Sequence, residues 1–186
     1  MKVEETSLKG CFIIQPKVIQ DKRGYFLESF NQEVFGKTIN KEINFVQDNE
    51  SYSSKGVLRG LHYQKGEYAQ AKLVRVIKGK ILDVVVDLRN DSPTFSKHIT
   101  IELSEYNKTQ LFIPRGFAHG FLVLSDTAIF SYKCDNFYNK ASEGGIIYND
   151  PTLDIDWQIS SLLRTGSEVL ISEKDQLLPT FKNARL

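Results

Sequence analysis

Short apolar runs, divided at regular intervals by turn-forming residues, are what most constrain the fold of this chain. From residue 72 onward, runs at 73–77, 81–88, 98–103, 110–113, 121–124 and 128–133 are separated by Lys78-Gly79-Lys80, Asn90-Asp91-Ser92-Pro93, Glu105-Tyr106-Asn107-Lys108 and Ser125-Asp126. Short runs rich in β-branched and aromatic residues, bounded by Gly, Pro, Asn and Asp, read as strands joined by hairpins. A succession of them gives an antiparallel barrel or jelly roll, so the chain is expected to be mainly β with a few short helices. Helical periodicity is scarce. It is confined to a turn at 32–35 and a start at Ser172, where Asp175 lies three residues on in a capping-box-like arrangement. Earlier strands at 10–14 and 25–30 complete the sheet or, as edges, pair with a second subunit. No repeat or linker divides the chain. Residues 1–186 are expected to form one jelly-roll domain, with the N-terminal strands at a dimer interface and the segment after about 151 wrapped over the barrel.

Within this pattern, residues 56–64 read Gly-Val-Leu-Arg-Gly-Leu-His-Tyr-Gln. In a regular strand Arg59 shares a face with Leu61, and His62 shares the other with Gly60. The two polar side chains meet at one ligand only if Gly60 allows a bend or bulge, and a glycine makes that cheap. The alternative is a core strand with a hydrogen-bonded histidine and an arginine reaching solvent. A second frame favours a site: residues 113–121 place His119 among apolar neighbours just after a turn built on Pro114 and Gly116. The chain has 3 histidines, and two of them occupy these frames. The combination suggests an anion-guided proton-transfer site.

Composition narrows the partners. With 24 basic and 23 acidic side chains the net charge is +1, which provides no general field for nucleic acid or an anionic membrane. Neither is expected as a partner, and any anion binding must be local. Cys11 and Cys134 have no CxxC partner and read as free thiols of a reducing compartment. The first ten residues lack an apolar h-region, and no run is long enough to span a bilayer, so a cytoplasmic location is expected.

Several ordered segments carry a resemblance. They are residues 21–28 (Asp-Lys-Arg-Gly-Tyr-Phe-Leu-Glu), 45–49 (Phe-Val-Gln-Asp-Asn), 56–64, 70–74 (Gln-Ala-Lys-Leu-Val) and 114–121, followed by Leu124-Ser125-Asp126. Together they resemble the dTDP-4-dehydrorhamnose 3,5-epimerase family of cupin-type nucleotide-sugar epimerases, over about residues 10–179. The resemblance implies a homodimeric jelly roll that acts on a dTDP-linked 4-keto-6-deoxyhexose on the route to dTDP-L-rhamnose, inverting C3 and C5. A relative that inverts C3 alone would share these residues. A non-catalytic sugar-binding jelly roll is the alternative from another class.

The same resemblance assigns roles. His62 is the base and Asp175 the carboxylate that fixes its tautomer. Lys72 stabilises the enolate oxygen, and Tyr132 returns a proton to the opposite face. Arg23 and Arg59 grip the diphosphate, since a guanidinium fork matches paired phosphate oxygens. Glu28, Gln47 and Asn49 make polar contacts with the nucleotide, and Tyr138 stacks on the base. His119, Glu143 and Lys174 fall in the substrate region. The segment around Phe26 and Glu28 of one subunit lines its neighbour's site. Ile19 departs from the pattern where a second stacking ring is expected. No cofactor and no metal are implied: residues 114–119 keep the second half of the cupin histidine signature, but the first half has only His62, followed by Tyr63 and Gln64.

Overall fold

The computed structural model describes residues 1–184. In chain order it contains β1 (Lys2–Glu5), β2 (Phe12–Gln15), β3 (Val18–Asp21), β4 (Gly24–Leu27) and helix α1 (Gln32–Ile39). Next come β5 (Gln47–Ser54), β6 (Val57–Gln64), β7 (Lys72–Lys78) and β8 (Lys80–Asp87). These are followed by β9 (His98–Ser104), β10 (Gln110–Ile113), β11 (Phe117–Val123) and β12 (Thr127–Cys134). The C-terminal part carries β13 (Glu143–Gly145), α2 (Ile159–Leu163), β14 (Leu170–Ile171) and α3 (Glu173–Gln176).

The strands form two sheets, β1-β2-β10-β7-β12-β5 and β13-β6-β11-β8-β9, while β3 and β4 make a separate hairpin. Pairing is antiparallel apart from β14, which adds to β6 in parallel. This is the jelly roll expected from the strand rhythm, but the links at 78–80, 105–108 and 125–126 cross from one sheet to the other instead of closing the expected hairpins. The tight Lys78-Gly79-Lys80 link between β7 and β8 needs its glycine: φ at Gly79 is +82°, and a Cβ there would stand 2.0 Å from the Thr127 carbonyl oxygen.

Three apolar layers hold the sheets. Val74, Val76 and Phe130 of the first sheet meet Ile81, Val85, Phe121 and Val123 of the second in the central core. On the outer face of the first sheet, Phe35 and Ile39 of α1 pack over Leu73 and Phe112. On the outer face of the second, Ile146, Leu153, Trp157 and Leu162 cover Leu61, Leu82, Val84 and Leu122. Because the second sheet is covered on both sides, β11 is buried along its whole length and β8 throughout after Lys80, with no polar alternation.

Local differences from the sequence expectations have physical reasons. The run at 121–124 is only the second half of β11, which begins at Phe117 straight after the Pro114-Arg115-Gly116 turn. The helix at 32–35 continues to Ile39: Asn31 caps it, accepting from the Glu33 and Val34 amides at 3.1 Å each. Burial of Phe35 and Ile39 one turn apart carries it through Gly36, whose propensity cost is about 1 kcal/mol. Strand β5, Gln-Asp-Asn-Glu-Ser-Tyr-Ser-Ser, has no apolar run to announce it and is held by a full ladder to β12.

Candidate active site

The antiparallel pair β6–β11 breaks register between His119 and Phe121. His119 lies opposite His62, and Phe121 opposite Arg59, so Gly60 and Leu61 together face the single residue Gly120. This is a β-bulge at the residue expected to allow one, and within it the Gly60–Leu61 peptide bond is cis. The two backbones nearly touch, since a Cβ on Gly60 would lie 2.6 Å from the Gly120 Cα. The bulge shifts the strand's parity. Leu58, Leu61 and Tyr63 point into the outer core, while Arg59 and His62 both line a cavity of about 600 Å³ between the sheets.

One wall of that cavity carries a histidine–carboxylate pair. His62 Nε2 lies 2.7 Å from Asp175 Oδ1, and the Gly60 amide donates to Asp175 Oδ2 at 3.3 Å. Asp175 sits in α3, where its own amide donates to the capping Ser172 hydroxyl at 3.1 Å. Burial pushes the Asp175 carboxyl up, but hydrogen bonds from His62 and the Gly60 amide, with the nearby Lys174 charge, outweigh it and hold the group below its ordinary range.

The opposite wall comes from the first sheet. Lys72 at the start of β7 and Tyr132 near the end of β12 both face inward, and the Lys72 ammonium is 5.6 Å from the centroid of the Tyr132 ring. Burial pulls the Lys72 ammonium below its usual range, opposed by Cys134 and Asp83. Burial, helped by Cys134 and opposed by Arg59, raises the Tyr132 phenol, which therefore keeps its proton at neutral pH. Arg59 leans across to β5, its Nε donating to Ser53 Oγ at 3.2 Å.

A second space of about 330 Å³ continues past His62, Lys72 and Tyr132 to Gln47, Asn49, Tyr138 and Glu143. Here Glu143 is a bridge: it accepts from the Tyr138 hydroxyl at 3.1 Å and from Lys174 Nζ at 2.6 Å. The structure thus brings together the sequence-derived site residues, with His119 in the first cavity, except three. Arg23 and Phe26 line a separate depression on the β3–β4 hairpin, where Arg23 pairs with Asp21 at 2.6 Å, and Glu28 accepts from Asn31 at 3.2 Å.

Sequence reasoning missed Asp83. Its carboxylate is 2.8 Å from His119 Nε2 and has no exposed surface. The signal was available as the one acidic residue inside the apolar run at 81–86, on the inward parity of Ile81 and Val85. Each cavity histidine is engaged by its own carboxylate, and among the described residues no three His, Cys, Asp or Glu side chains converge as a metal-binding group.

Comparison with known proteins gives a consistent picture. A family model described as dTDP-4-dehydrorhamnose 3,5-epimerase matches residues 5–183. The chain is 51% identical over 169 residues to the dTDP-4-dehydrorhamnose 3,5-epimerase of Shigella flexneri, covering 91% of this chain and 93% of that one. The crystal structure of the dTDP-4-dehydrorhamnose 3,5-epimerase of Elizabethkingia anophelis superposes with a TM-score of 0.91 at 55% identity, over 98% of this chain and 97% of that one. The dTDP-6-deoxy-D-glucose-3,5-epimerase of Legionella pneumophila, solved with dTDP-4-keto-L-rhamnose, gives 0.91 at 44% identity, over 98% and 93% of the two chains.

Proposed function

The chain belongs to the dTDP-4-dehydrorhamnose 3,5-epimerase family, and from that premise we propose that it is an isomerase converting dTDP-4-dehydro-6-deoxy-D-glucose to dTDP-4-dehydro-L-rhamnose. The observation that carries the mechanism is the placement of His62 with Asp175 on one wall of the cavity, facing Tyr132 and Lys72 on the other. Asp175 engages Nε2 of His62, which leaves Nδ1 to take a proton from the carbon beside the C4 ketone. The Lys72 ammonium stabilises the enolate oxygen, and Tyr132 returns a proton from the opposite wall, inverting the centre. Both C3 and C5 adjoin the same carbonyl, so one base, one acid and one cation serve both in turn, once His62 has given its proton to solvent and Tyr132 has taken one back between the two inversions. The reaction moves protons without net oxidation and calls for no redox cofactor.

In the same reading the diphosphate lies on Arg59, with the nucleotide against Gln47, Asn49 and Tyr138, and the sugar beside His119, Glu143 and Lys174. Arg23, Phe26 and Glu28 belong to a neighbour's site in a homodimer. The β3–β4 hairpin that carries this segment leaves Ile19, Tyr25 and Phe26 53%, 55% and 67% exposed, which supports docking on a second copy. Among the described residues no helix is long and apolar enough to cross a membrane. With Cys11 and Cys134 as free buried thiols, the proposed compartment is the cytoplasm.

Incubation with dTDP-4-keto-6-deoxyglucose in heavy water, followed by NMR, tests the reaction. Solvent deuterium at C3 and C5, with inversion at both, is expected. Incorporation at C3 alone would make the protein a C3 epimerase, and none at either carbon would leave a sugar-binding module.

A further inference from the structure

We propose that Asp83 is a positioning residue for the enolate-stabilising side of the cavity: it holds His119 by Nε2, turning Nδ1 to the bound sugar, and supplies a counter-charge to the Lys72 ammonium. The inference rests on the epimerase reading given above.

Asp83 lies on β8 between Ile81 and Val85, in the apolar layer between the sheets, with no exposed surface. A carboxylate in such a place is destabilising unless it is paired and hydrogen-bonded. Only half of this one is: Oδ2 meets His119 Nε2 at 2.8 Å, and Oδ1 is buried with no hydrogen-bond partner among the described residues. Packing alone would be served better by valine or leucine, so the carboxylate calls for a reason at the site. Asp83 does not line the cavity, but His119 and Lys72 do. It therefore acts through them.

The surroundings are consistent with a counter-ion. Lys72 reaches in from β7 and His119 from β11, while the inward residues of β9, Ile99, Ile101 and Leu103, carry no charge. The Cys11 thiol on the same side is pushed up to about 12 by burial and stays neutral. Tyr132 and Cys134 of β12 flank Lys72. Burial works against the Lys72 ammonium, while Cys134 and the Asp83 charge work for it; burial also pushes the Asp83 carboxyl up, and His119 and Lys72 oppose that rise. Removing that charge leaves the lysine to lose its proton at lower pH, and with it the positive charge that faces the enolate.

Asp83→Asn keeps the size and an oxygen that can accept from His119 Nε2–H while deleting the charge. The expected result is a fall in kcat on the order of 10- to 100-fold, with dTDP affinity unchanged. The alkaline limb of the kcat–pH profile should move to lower pH. A folded variant with wild-type kcat and an unmoved alkaline limb would overturn the proposal. Ring nitrogen NMR of His119 in the wild-type protein, assigned against His119→Gln, tests it without touching Asp83. A proton on Nε2 is expected, and a neutral ring protonated at Nδ1 alone, with Nε2 bare, would refute the assignment. Absence of exchange by the wild-type enzyme would sink the epimerase reading instead, and the ring tautomer would still be readable.

Discussion

Replacing Tyr132 by phenylalanine isolates one atom of the proposed mechanism. The ring is anchored by Phe130, 5.7 Å between centroids, and by the Lys72 ammonium at 5.6 Å, and neither contact involves the hydroxyl. Folding and dTDP binding should therefore survive. A positioned general acid contributes roughly 10²- to 10⁴-fold, which is about 3–5 kcal/mol of barrier. Inversion should fall by that amount, because Lys72, the other reacting group placed on the Tyr132 wall, is already committed to the enolate. Abstraction by His62 on the other wall is untouched, so His62 can return deuterium to the face from which it took a proton. Time-resolved proton NMR in heavy water separates the two events: loss of the C3 and C5 signals reports exchange, and appearance of the L-rhamno product reports inversion. Exchange outrunning inversion is expected. If both declined together in a folded, dTDP-binding variant, Tyr132 would be a packing or binding residue and the acid would lie elsewhere.

Other consequences are equally concrete. His62→Asn should abolish deuterium entry at C3 and C5 with dTDP affinity intact, and wild-type exchange in that variant would require another base. Gly60→Ala puts a Cβ 2.6 Å from the Gly120 Cα at a φ of +120°, so a loss of about 3 kcal/mol in chemical denaturation is expected; a loss below 1 kcal/mol would mean, on that scale, that the strands separate easily. Burial pushes Asp87 up, but hydrogen bonds from Arg89, Ser92 and Thr94 hold it at about 2. Its folded value is below its unfolded one, so this stability is full above about pH 4 and lost as pH falls through 2. Asp87→Asn should cost about 2 kcal/mol at pH 7 and flatten that acid limb, while an unchanged acid limb would place the stability elsewhere. Sedimentation at micromolar concentration should show a dimer, and a fully active monomer would remove the proposed sharing of Arg23, Phe26 and Glu28.

The fold was legible wherever turn chemistry and apolar runs coincide. The turns at Gly79, Glu105-Tyr106-Asn107-Lys108 and Ser125-Asp126 mark strand ends between β7 and β12, although each carries the chain from one sheet to the other, and a bulge at Gly60 is what lets Arg59 and His62 share a face. Strand β5 was not legible, because its polar residues are chosen by the cavity and its pairing with β12 supplies the order that its sequence lacks. The partner of His119 was hidden for a different reason. Asp83 is far from it along the chain, and the two meet only through the β8–β11 register, in which Asp83 opposes Phe121 and His119 opposes Val85.

That register points to a general feature of the site. Read at every second residue, the inward face of β7 runs Val76, Val74, Lys72; that of β12 runs Ala128, Phe130, Tyr132; and that of β11 runs Val123, Phe121, His119. Each strand is apolar at one end and chemical at the other, as a half-closed sandwich demands when one end packs and the other admits a polar ligand. Pairing of Phe130 with Val76 and of Tyr132 with Val74 brings the chemical ends of β7 and β12 side by side. Pairing of His119 with His62 does the same for β11 and β6. The polar ends were therefore already written in each strand at period two. Strand order is the long-range information that gathers them into one cavity, and it depends on which faces the other sheet, α1 and the C-terminal segment cover.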